Sequence, residues 1–432
     1  MNLQKEKITL FWFRRDLRLN DNRGLHEALR NDYPVLPVFI FDENIIDELN
    51  EDDPRLNFIY DSLSLMNHTL VSKSSGILCL KGNPTEIWNY LLDEYDIQGV
   101  YTNEDYEPYA IQRDAQVSEL LIKSGIAFHS FKDQVIFEKN EVVKQDGNPY
   151  TVYTPYKNKW LEKFQDGMLK DFKVDEWEGY FKFQNNFPTF SELGIKKSLI
   201  RVLPFDLSVV QEYENTRNFP STKGTSNLSP HLRFGTISIR EMVSKAKANS
   251  TFLSELIWRE FFMQILYHFP KVVEHNFRQK YDGIQWRNNE VEFEKWKKGE
   301  TGYPIVDAGM RELNATGYMH NRVRMITAGF LCKHLLIDWR WGEAYFAEKL
   351  LDYELSANNG NWQWSAGTGC DAAPYFRIFN PTEQVKKFDS ELKYIRKWVK
   401  DLDDLTYPLP IVEHKSARER ALKVYKEGIR ES

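Results

Sequence analysis

Short apolar runs and longer amphipathic segments alternate along the first 130 residues. The apolar runs have the length of β-strands and lie at 8–13, 35–41, 76–80 and 99–103. Helical periodicity fills the intervals at 22–30, 55–73, 84–95 and 108–124. This alternation predicts a parallel, Rossmann-like α/β sheet. The region contains neither GxGxxG nor GxxxxGK(S/T), so it supports neither a dinucleotide fingerprint nor a P-loop.

The rest of the chain has two further patterns. Residues 131–195 show weak periodicity and are rich in Lys, Asp, Phe, Tyr, Pro and Gly, which is typical of a surface connection. From 196 to 432 the helical period dominates, with helices predicted at 251–269, 303–315, 319–337, 342–351 and 389–400. The stretch "NNGNWQW" (358–364) predicts a break between helices. The sequence therefore predicts an α/β domain (1–130), an interdomain connection (131–195) and an all-α domain (196–432).

Length, charge and cysteine content limit the class of protein. A chain of 432 residues is long enough for two domains, and its net charge of −6 excludes a uniformly basic nucleic-acid binder but not a local basic face. Cys79, Cys332 and Cys370 are far apart, which argues against a disulfide framework or a zinc site. The N-terminus lacks a signal-peptide pattern, and no apolar run approaches the roughly 20 residues of a membrane span. These features predict a cytoplasmic protein without membrane attachment.

The stretch "KGTSNLSPHLRFG" (223–235) combines small hydroxyl residues with a predicted helix start. The hydroxyl groups of Thr225, Ser226 and Ser229, together with free backbone N–H groups, suit phosphate oxygens. An ordinary capped helix start is the alternative interpretation.

Tryptophan is concentrated in the C-terminal part, where eight of the 12 Trp lie at Trp258 or later. In "SELIWREFF", Glu255 and Trp258 share one helical face, although a surface Glu beside a half-buried Trp explains the pair equally well. Asp352 and Glu354 precede the amide-rich "NNGNWQW". Acids and amides beside indoles could hold a heteroaromatic ring, and the alternatives are a Trp-rich core or a protein interface.

Familiar catalytic patterns are absent from the sequence. It has no Ser-His-Asp pattern, no HExxH and no cluster with metal-ligand spacing, so no metal is predicted. His320 is more simply interpreted as a hydrogen-bonded structural residue than as a general base. What remains is chemistry carried by a bound organic cofactor.

Five long motifs resemble the photolyase/cryptochrome family, and most of all its class I cyclobutane pyrimidine dimer photolyases. They are "FWFRRDLRLNDN", "ELIWREF", "TGYPIVDAGMRELNATGYMHNRVRM", "LLDYELSANNGNWQW" and "DAAPYFRIFNP". The resemblance implies an α/β antenna domain, a helical domain that binds FAD, and light-driven repair of pyrimidine dimers by an electron from reduced FAD. It also implies that UV-damaged DNA is the partner and that the dimer is flipped out of the duplex.

The resemblance assigns roles to individual residues. It places FAD contacts at Tyr213, Thr225, Ser226, Asn227, Leu228, Ser229, Arg259, Arg324, Asp352, Tyr353, Glu354 and Asn358, with Asn358 facing the flavin N5 and Arg324 pairing with Asp352. It places a photoreduction chain at Trp362, Trp339 and Trp286. It places DNA or dimer contacts at Arg217, Glu255, Trp258, Asn321, Arg322, Met325 and Trp364. Catalysis is assigned to the three chain tryptophans together with Glu255, Asn321 and Asn358, and a protonated Glu255 would donate a hydrogen bond to the dimer.

Subfamily positions favour repair over signalling. Asn358 stands where plant-type cryptochromes have Asp, and "YMHNRVRM" has Asn and Met where six-four photolyases have paired His. No long C-terminal signalling tail follows the last motif. A blue-light photoreceptor with the same flavin site is the alternative function, and an ordinary flavin oxidoreductase is a third one.

The second chromophore and the oligomeric state are less constrained. Glu107 suits a folate antenna, whereas Glu274 stands where some folate-binding relatives have Lys. The antenna is therefore 5,10-methenyltetrahydrofolate, a deazaflavin or none, and we expect a monomer.

Overall fold

The computed structural model describes residues 5–174, 177–184 and 186–430. It divides into two compact units. The first unit consists of Met1–Glu141, Lys163–Leu203 and Leu228–Lys247. The second unit consists of Val142–Glu162, Pro204–Asn227 and Ala248–Ser432. These bounds differ from the expected ones, because parts of the chain between 131 and 247 belong to each unit.

A five-stranded parallel sheet forms the centre of the first unit, in the order β3-β2-β1-β4-β5. The strands are β1 (Lys7–Phe13), β2 (Val35–Asp42), β3 (Leu78–Gly82), β4 (Asp96–Asn103) and β5 (Ala127–Phe131). The sequence predicted the first four strands and missed β5. Because β5 lies at the sheet edge and its residues are half-buried or exposed, it lacks the apolar run that marks a buried strand.

Helix starts in the first unit follow local capping rules. The helices before residue 130 are α1 (Arg23–Leu29), α2 (Glu43–Ile46), α3 (Pro54–Val71), α4 (Pro84–Glu94) and α5 (Pro108–Lys123). The side chains of Asp53 and Asn83 accept backbone N–H groups at the starts of α3 and α4, each followed by a proline. Four of these helices match the predicted ones within two residues at each end, and the one-turn α2 was not predicted.

The described middle of the chain holds four helices and short 3-10 turns. The helices are α6 (Tyr153–Lys163), α7 (Tyr213–Thr216), α8 (Ser229–Arg233) and α9 (Ile239–Ala246). The 3-10 turns here are Asp166–Leu169, Trp177–Gly179 and Leu207–Val210. α6 was not predicted, and it buries Tyr153, Tyr156 and Trp160. The segment 228–247 joins the first unit because Arg240 forms buried ion pairs with Asp21 and Asp133.

The second unit is helical. Its later helices are α10 (Ser250–His268), α11 (Glu290–Lys298), α12 (Pro304–Thr316), α13 (Asn321–Gly329), α14 (Trp339–Lys349), α15 (Leu355–Ala366), α16 (Pro381–Phe388), α17 (Lys393–Trp398) and α18 (His414–Arg430). Further 3-10 turns lie at Pro270–Val273 and Gln279–Tyr281. A π-helical turn, Phe330–Leu335, continues α13 and ends at Leu336, which has a φ of 54°. The helix predicted at 319–337 is thus shorter and changes its hydrogen-bond pattern.

The predicted break at "NNGNWQW" is wrong. α15 runs through the whole stretch and ends at Gly367, whose φ of 89° is left-handed. Asn and Gly lower helix propensity, but tertiary packing overrides that preference here. Among the described residues, no helix is long and apolar enough to cross a membrane.

Candidate functional site

The amides of α15 bind neighbouring backbone instead of breaking the helix. The side-chain nitrogens of Asn359 and Gln363 both donate to the carbonyl oxygen of Val272 at 2.9 Å. The Gln363 oxygen accepts the backbone N–H of Phe277 at 2.8 Å. A methyl group at Gly360 would lie 2.2 Å from the ring of Phe262 on α10. The polar run therefore seats α15 closely against α10 and the turn that follows it.

Asn358 is buried and reaches towards α14. Its side-chain nitrogen donates to the Glu343 carboxylate at 2.8 Å and to the Glu343 carbonyl at 3.1 Å. Burial raises the pKa of Glu343, while the hydrogen bond from Asn358 opposes the rise. Glu343 was not among the predicted site residues, and it fixes the orientation of the amide expected to face the flavin.

Trp362 is enclosed by aromatic side chains. It is 2% exposed, and its ring meets those of Phe346 and Trp296 edge-on, with centroids 4.9 and 6.2 Å away. Gly342 on α14 makes room for it, since a methyl group there would lie 2.1 Å from the Trp362 ring. Trp296 and Gly342 were missed from the sequence, where nothing distinguishes them from ordinary helix residues.

The other two tryptophans of the expected chain pack against the same hydrophobic cluster as Trp362. Trp339 is 1% exposed and donates its indole N–H to the side-chain oxygen of Asn276 at 2.9 Å. Trp286 is half-buried, and its ring meets Tyr425 of α18 edge-on at 5.9 Å. The predicted residues are thus gathered in one region, with Trp286 nearest to solvent.

Two arginine–carboxylate pairs lie beside the start of α15. Arg324 donates to both oxygens of Asp352, at 2.9 and 3.2 Å, which agrees with the expected pair. Arg259 approaches Glu354 at 3.4 Å. A flavin edge presents alternating N–H and C=O groups, and this set offers carboxylate acceptors, guanidinium donors and the Asn358 amide. The chemistry of these residues therefore fits FAD.

The expected phosphate segment has an unusual backbone. Asn227 has a φ of 53°, and a methyl group at Gly224 would lie 2.6 Å from Thr216. Thr225 is exposed and Ser226 half-buried, which leaves their hydroxyl groups accessible. The unit boundary falls after Asn227, so Leu228 (buried) and Ser229 (exposed, the first residue of α8) belong to the first unit. Accessible hydroxyl groups suit the oxygens of a diphosphate.

Tyr213 and Glu255 lie on either side of one guanidinium. Arg217 pairs with Glu255 at 2.6 Å and lies over the Tyr213 ring at 5.3 Å. Burial raises the pKa of Glu255 above its usual value, and Arg217 opposes this rise. Burial also raises the pKa of Tyr213 to about 12. Glu255 therefore has both a partner for its charged form and an environment that favours its protonated form.

Trp258 lies one helical turn after Glu255 and is half-buried. Its ring stacks on that of Tyr153 from α6, with centroids 3.6 Å apart and planes within 8°. Trp364 on α15 is also half-buried, unlike Trp362 two residues before it. The helical backbone of α15 turns these two side chains to different sides.

The start of α13 carries three of the expected substrate contacts. Asn321 is exposed and Met325 half-buried. Arg322 donates to the side-chain oxygen of Asn218 at 2.6 Å and lies 4.4 Å from the Phe388 ring centroid. Burial together with Arg217 and Arg377 lowers the pKa of Arg322, so several cations share this surface.

His320 caps α13. Its Nδ1 accepts the backbone N–H of Arg322 at 3.2 Å, in agreement with a structural role. Burial, with Arg322 and Arg324, lowers the pKa of His320 to about 4. Within the described ranges, no group of three His, Cys, Asp or Glu side chains is arranged to hold a metal ion.

Glu107, the expected folate contact, forms ion pairs with two arginines of the first unit. They are Arg15 at 3.0 Å and Arg233 at 3.6 Å. Its carboxylate is thus already hydrogen-bonded within the protein.

Comparisons with known proteins cover nearly the whole chain. Residues 9–175 match the family model for DNA photolyase, and residues 252–406 match that for the FAD binding domain of DNA photolyase. The deoxyribodipyrimidine photo-lyase of Halobacterium salinarum is 35% identical over 97% of this chain and 98% of its own. A bacterial class III photolyase from Agrobacterium tumefaciens aligns with a TM-score of 0.87 at 33% identity, covering 99% of both chains. An archaeal photolyase from Sulfolobus tokodaii, solved with two FAD molecules, aligns at 0.84 and 35% identity, covering 97% and 99%.

Proposed function

The chain belongs to the DNA photolyase family, and we propose that three groups of its side chains have separate roles in the repair of pyrimidine dimers in DNA. Its activity is that of a deoxyribodipyrimidine photo-lyase with FAD as cofactor. Bound FAD in its reduced form supplies, under light, the electron that opens the cyclobutane ring. One group of side chains holds the flavin, one holds the dimer, and one carries electrons to the flavin.

The first group binds FAD. The Asp352 carboxylate accepts hydrogen bonds from the polar edge of the flavin ring, and the Arg324 guanidinium donates to that edge. The Asn358 side chain, which is hydrogen-bonded to Glu343, is assigned to the flavin N5. The contacts assigned to the FAD phosphates are Tyr213, Thr225, Ser226, Asn227, Leu228 and Ser229. The other residues assigned to FAD are Arg259, Tyr353 and Glu354. The charge-assisted Arg324–Asp352 pair is preformed, so little ordering is needed when the flavin binds.

The second group binds the flipped dimer. Trp258 and Trp364 supply flat apolar walls, and Met325 and Asn321 supply apolar and polar contacts. Glu255 is assigned a hydrogen bond to a dimer carbonyl, which its carboxyl donates in the protonated form; burial raises the pKa of Glu255 above its usual value, and Arg217 opposes this rise. Arg217 and Arg322 attract the DNA phosphates, which makes the affinity sensitive to salt despite the net charge of −6.

The third group, Trp362, Trp339 and Trp286, reduces the flavin under light. Trp362 and Trp339 are buried, whereas Trp286 is half-buried and accessible to a reductant. Burial keeps water away from the two inner rings, and the outermost ring accepts an electron from a reductant in solution.

One observation supports this division above all: Trp362 and Trp339 are buried in one hydrophobic cluster, whereas a second set, Trp258 and Trp364, is half-buried, with Trp258 one helical turn from the Arg217–Glu255 pair. An ordinary flavin oxidoreductase has no need of the second set. A photoreceptor has no need of a substrate wall.

The decisive experiment illuminates the reduced, FAD-loaded protein with an oligonucleotide that contains one dimer. We expect loss of the dimer in light and none in darkness. Persistence of the dimer with FAD intact and reduced would favour the photoreceptor. Turnover of an electron donor in darkness would favour an oxidoreductase.

We also propose that the protein is a cytoplasmic monomer whose antenna is 5,10-methenyltetrahydrofolate, a deazaflavin or none. Light scattering on the purified protein measures the mass of the particle against 51.2 kDa. A strong violet absorption band would identify a folate or deazaflavin. Two FAD per chain would instead match the cofactor content of the Sulfolobus tokodaii protein.

A further inference from the structure

Tyr153 covers one face of the Trp258 indole. The ring planes lie within 8° of each other and the centroids are 3.6 Å apart, which is full face-to-face contact. The edge of Phe261 meets both rings, with centroid distances of 5.6 Å to Trp258 and 5.8 Å to Tyr153. Tyr153 is 7% exposed, whereas Trp258 is half-buried. Phe262 also packs on the indole, with centroids 5.4 Å apart and planes 29° from parallel. Tyr153 thus makes the closest ring contact with Trp258, while part of the indole stays accessible.

Tyr153 is hydrogen-bonded through its hydroxyl group and through its backbone N–H. The Tyr153 hydroxyl donates to the carbonyl oxygen of Ser254 at 2.8 Å, and its backbone N–H donates to the Asp371 carboxylate at 3.0 Å. Ser254 immediately precedes Glu255 on α10. The Tyr153 ring therefore has a defined position relative to the helix that carries Trp258.

The rest of α6 is fastened along the same helix. Lys157 donates to the Ser254 hydroxyl at 2.6 Å. The Trp160 indole N–H donates to the buried carboxylate of Glu260 at 2.7 Å, and the Tyr156 hydroxyl donates to the same carboxylate at 3.2 Å. Because these contacts span two turns of α6, the helix that carries Tyr153 cannot move away from α10 without breaking several hydrogen bonds.

We propose that Tyr153 is a positioning residue that fixes the ring plane of Trp258, so that a flipped pyrimidine dimer meets a preformed aromatic surface. The inference rests on the proposed function, in which Trp258 is a wall of the dimer site. Tyr153 acts through Trp258 and makes no contact with the reacting bonds.

Preorganisation gives this contact a measurable effect. Without Tyr153 the indole keeps only its looser ring contacts with Phe261 and Phe262, so it samples more rotamers in the free protein and must be ordered when the dimer stacks on it. The cost of ordering one such side chain corresponds to about a 2- to 13-fold loss of affinity. Undamaged duplex does not place a base on Trp258, so its affinity does not depend on Tyr153. Tyr153 therefore contributes to selectivity for damage.

The first test measures dissociation constants of FAD-loaded protein in darkness, for a dimer-containing oligonucleotide and its undamaged counterpart. Tyr153→Leu is expected to weaken binding of the dimer-containing oligonucleotide about 2- to 13-fold and to leave the affinity for undamaged DNA unchanged. Tyr153→Phe keeps the stacked ring and is expected to bind the dimer like the wild type. Tyr150→Leu is the matched control, because the Tyr150 ring meets Tyr156 at 6.4 Å and belongs to the same segment.

The second test is a double-mutant cycle with Trp258→Ala. If Tyr153 acts through Trp258, Tyr153→Leu has no further effect on dimer affinity once the indole is removed. An equal loss in both backgrounds, or an equal loss for undamaged DNA, would overturn the inference. If Tyr153→Leu does not fold, Tyr153→Phe still decides, since a folded Phe variant without dimer selectivity contradicts the stacking argument.

The two tests also separate this inference from the function on which it rests. If Trp258→Ala weakens dimer binding and Tyr153→Leu does not, Trp258 is a wall and Tyr153 does not position it. If Trp258→Ala does not change the affinity for dimer-containing DNA, Trp258 is not part of the dimer site, and the positioning role of Tyr153 is contradicted as well.

Discussion

The second unit uses the same side chain, tryptophan, in two different surroundings. Trp362 and Trp339 are 2% and 1% exposed and belong to one hydrophobic cluster. Trp258 and Trp364 are half-buried, and Trp258 lies one turn from the Arg217–Glu255 pair. The first region is dry and closely packed, whereas the second keeps polar and charged groups next to open aromatic surface.

The difference shows how one helix serves both regions. Trp362 and Trp364 are two residues apart on α15, and a helical backbone turns them about 200° from each other. One indole can therefore be sealed in the core while the other remains accessible. A strand would have pointed both side chains to the same face.

The largest expected effect is that of Trp286→Phe on the photoreduction of FAD, and this variant distinguishes the buried region from the dimer site. Phe is much harder to oxidise than Trp, so photoreduction of oxidised FAD is expected to be largely lost. Repair by enzyme reduced beforehand should persist, since the dimer side is untouched. The absorbance of oxidised FAD during illumination measures photoreduction, and the loss of dimer measures repair by the pre-reduced enzyme.

Trp341→Phe is the matched control for that variant, because Trp341 is also half-buried and packs beside the same cluster but is outside the proposed chain. It should photoreduce normally. Equal losses of photoreduction and of repair by pre-reduced Trp286→Phe would contradict the assignment of the chain.

Close packing of the buried region predicts a large stability effect of Gly342→Ala. The added methyl group would lie 2.1 Å from Trp362 and 2.6 Å from Leu331. Overpacking of this kind costs about 1–3 kcal/mol or more in the free energy of unfolding. Gly329→Ala is the control, because its nearest neighbour is Phe379 at 3.8 Å and the change should be neutral or stabilising. Urea denaturation measures both, and equal midpoints would mean that the cluster is loosely packed.

The half-buried region should respond in the binding of damaged DNA. Trp258→Ala is expected to weaken binding of dimer-containing DNA by about 1–3 kcal/mol, by analogy with base–aromatic stacking. Trp258→Phe keeps an aromatic face and should lose less. Fluorescence anisotropy with labelled oligonucleotides measures the change, and an unchanged affinity would remove Trp258 from the dimer site.

The smallest expected effect concerns the pH dependence of stability at Glu255. Burial raises the pKa of this carboxyl from its usual 4.5 more than Arg217 lowers it. The folded protein therefore keeps the proton at pH values where the unfolded chain has lost it, and ionisation costs the folded state free energy. Stability relative to Glu255→Gln should fall as the pH rises from 4.5 through the raised pKa, and then stay level.

Denaturation of the wild type and of Glu255→Gln at a series of pH values isolates this contribution. A relative stability that instead rises with pH would show that the ion pair with Arg217 outweighs burial. The dimer site would then hold a charged Glu255 rather than a hydrogen-bond donor.

Local sequence signals predicted the sheet of the first unit well. Four strands and four long helices follow from short apolar runs, prolines and capping side chains, all of which act within a few residues. The edge strand β5 escaped because edge strands do not need a continuous apolar run. The helix α6 escaped because its buried face consists of aromatic residues among charged ones.

The order of the long motifs was sufficient to predict the family, the cofactor and the two-part fold. The Arg324–Asp352 pair is the one that the motifs imply, whereas the Arg217–Glu255 pair was not predicted. The contacts assigned to FAD, DNA and the dimer, including those of Asn321 and Trp364, stay predictions.

Residue types and their spacing along the chain thus determined four strands and four helices of the first unit, the family and the chemistry that the site can offer. Only the tertiary structure decided that "NNGNWQW" is a helix, that Gly342 makes room for Trp362 and that Tyr153 lies on Trp258. Each of these depends on residues distant in the chain. Helix propensity acts locally and weakly, whereas close packing and buried hydrogen bonds between distant segments contribute more and override it.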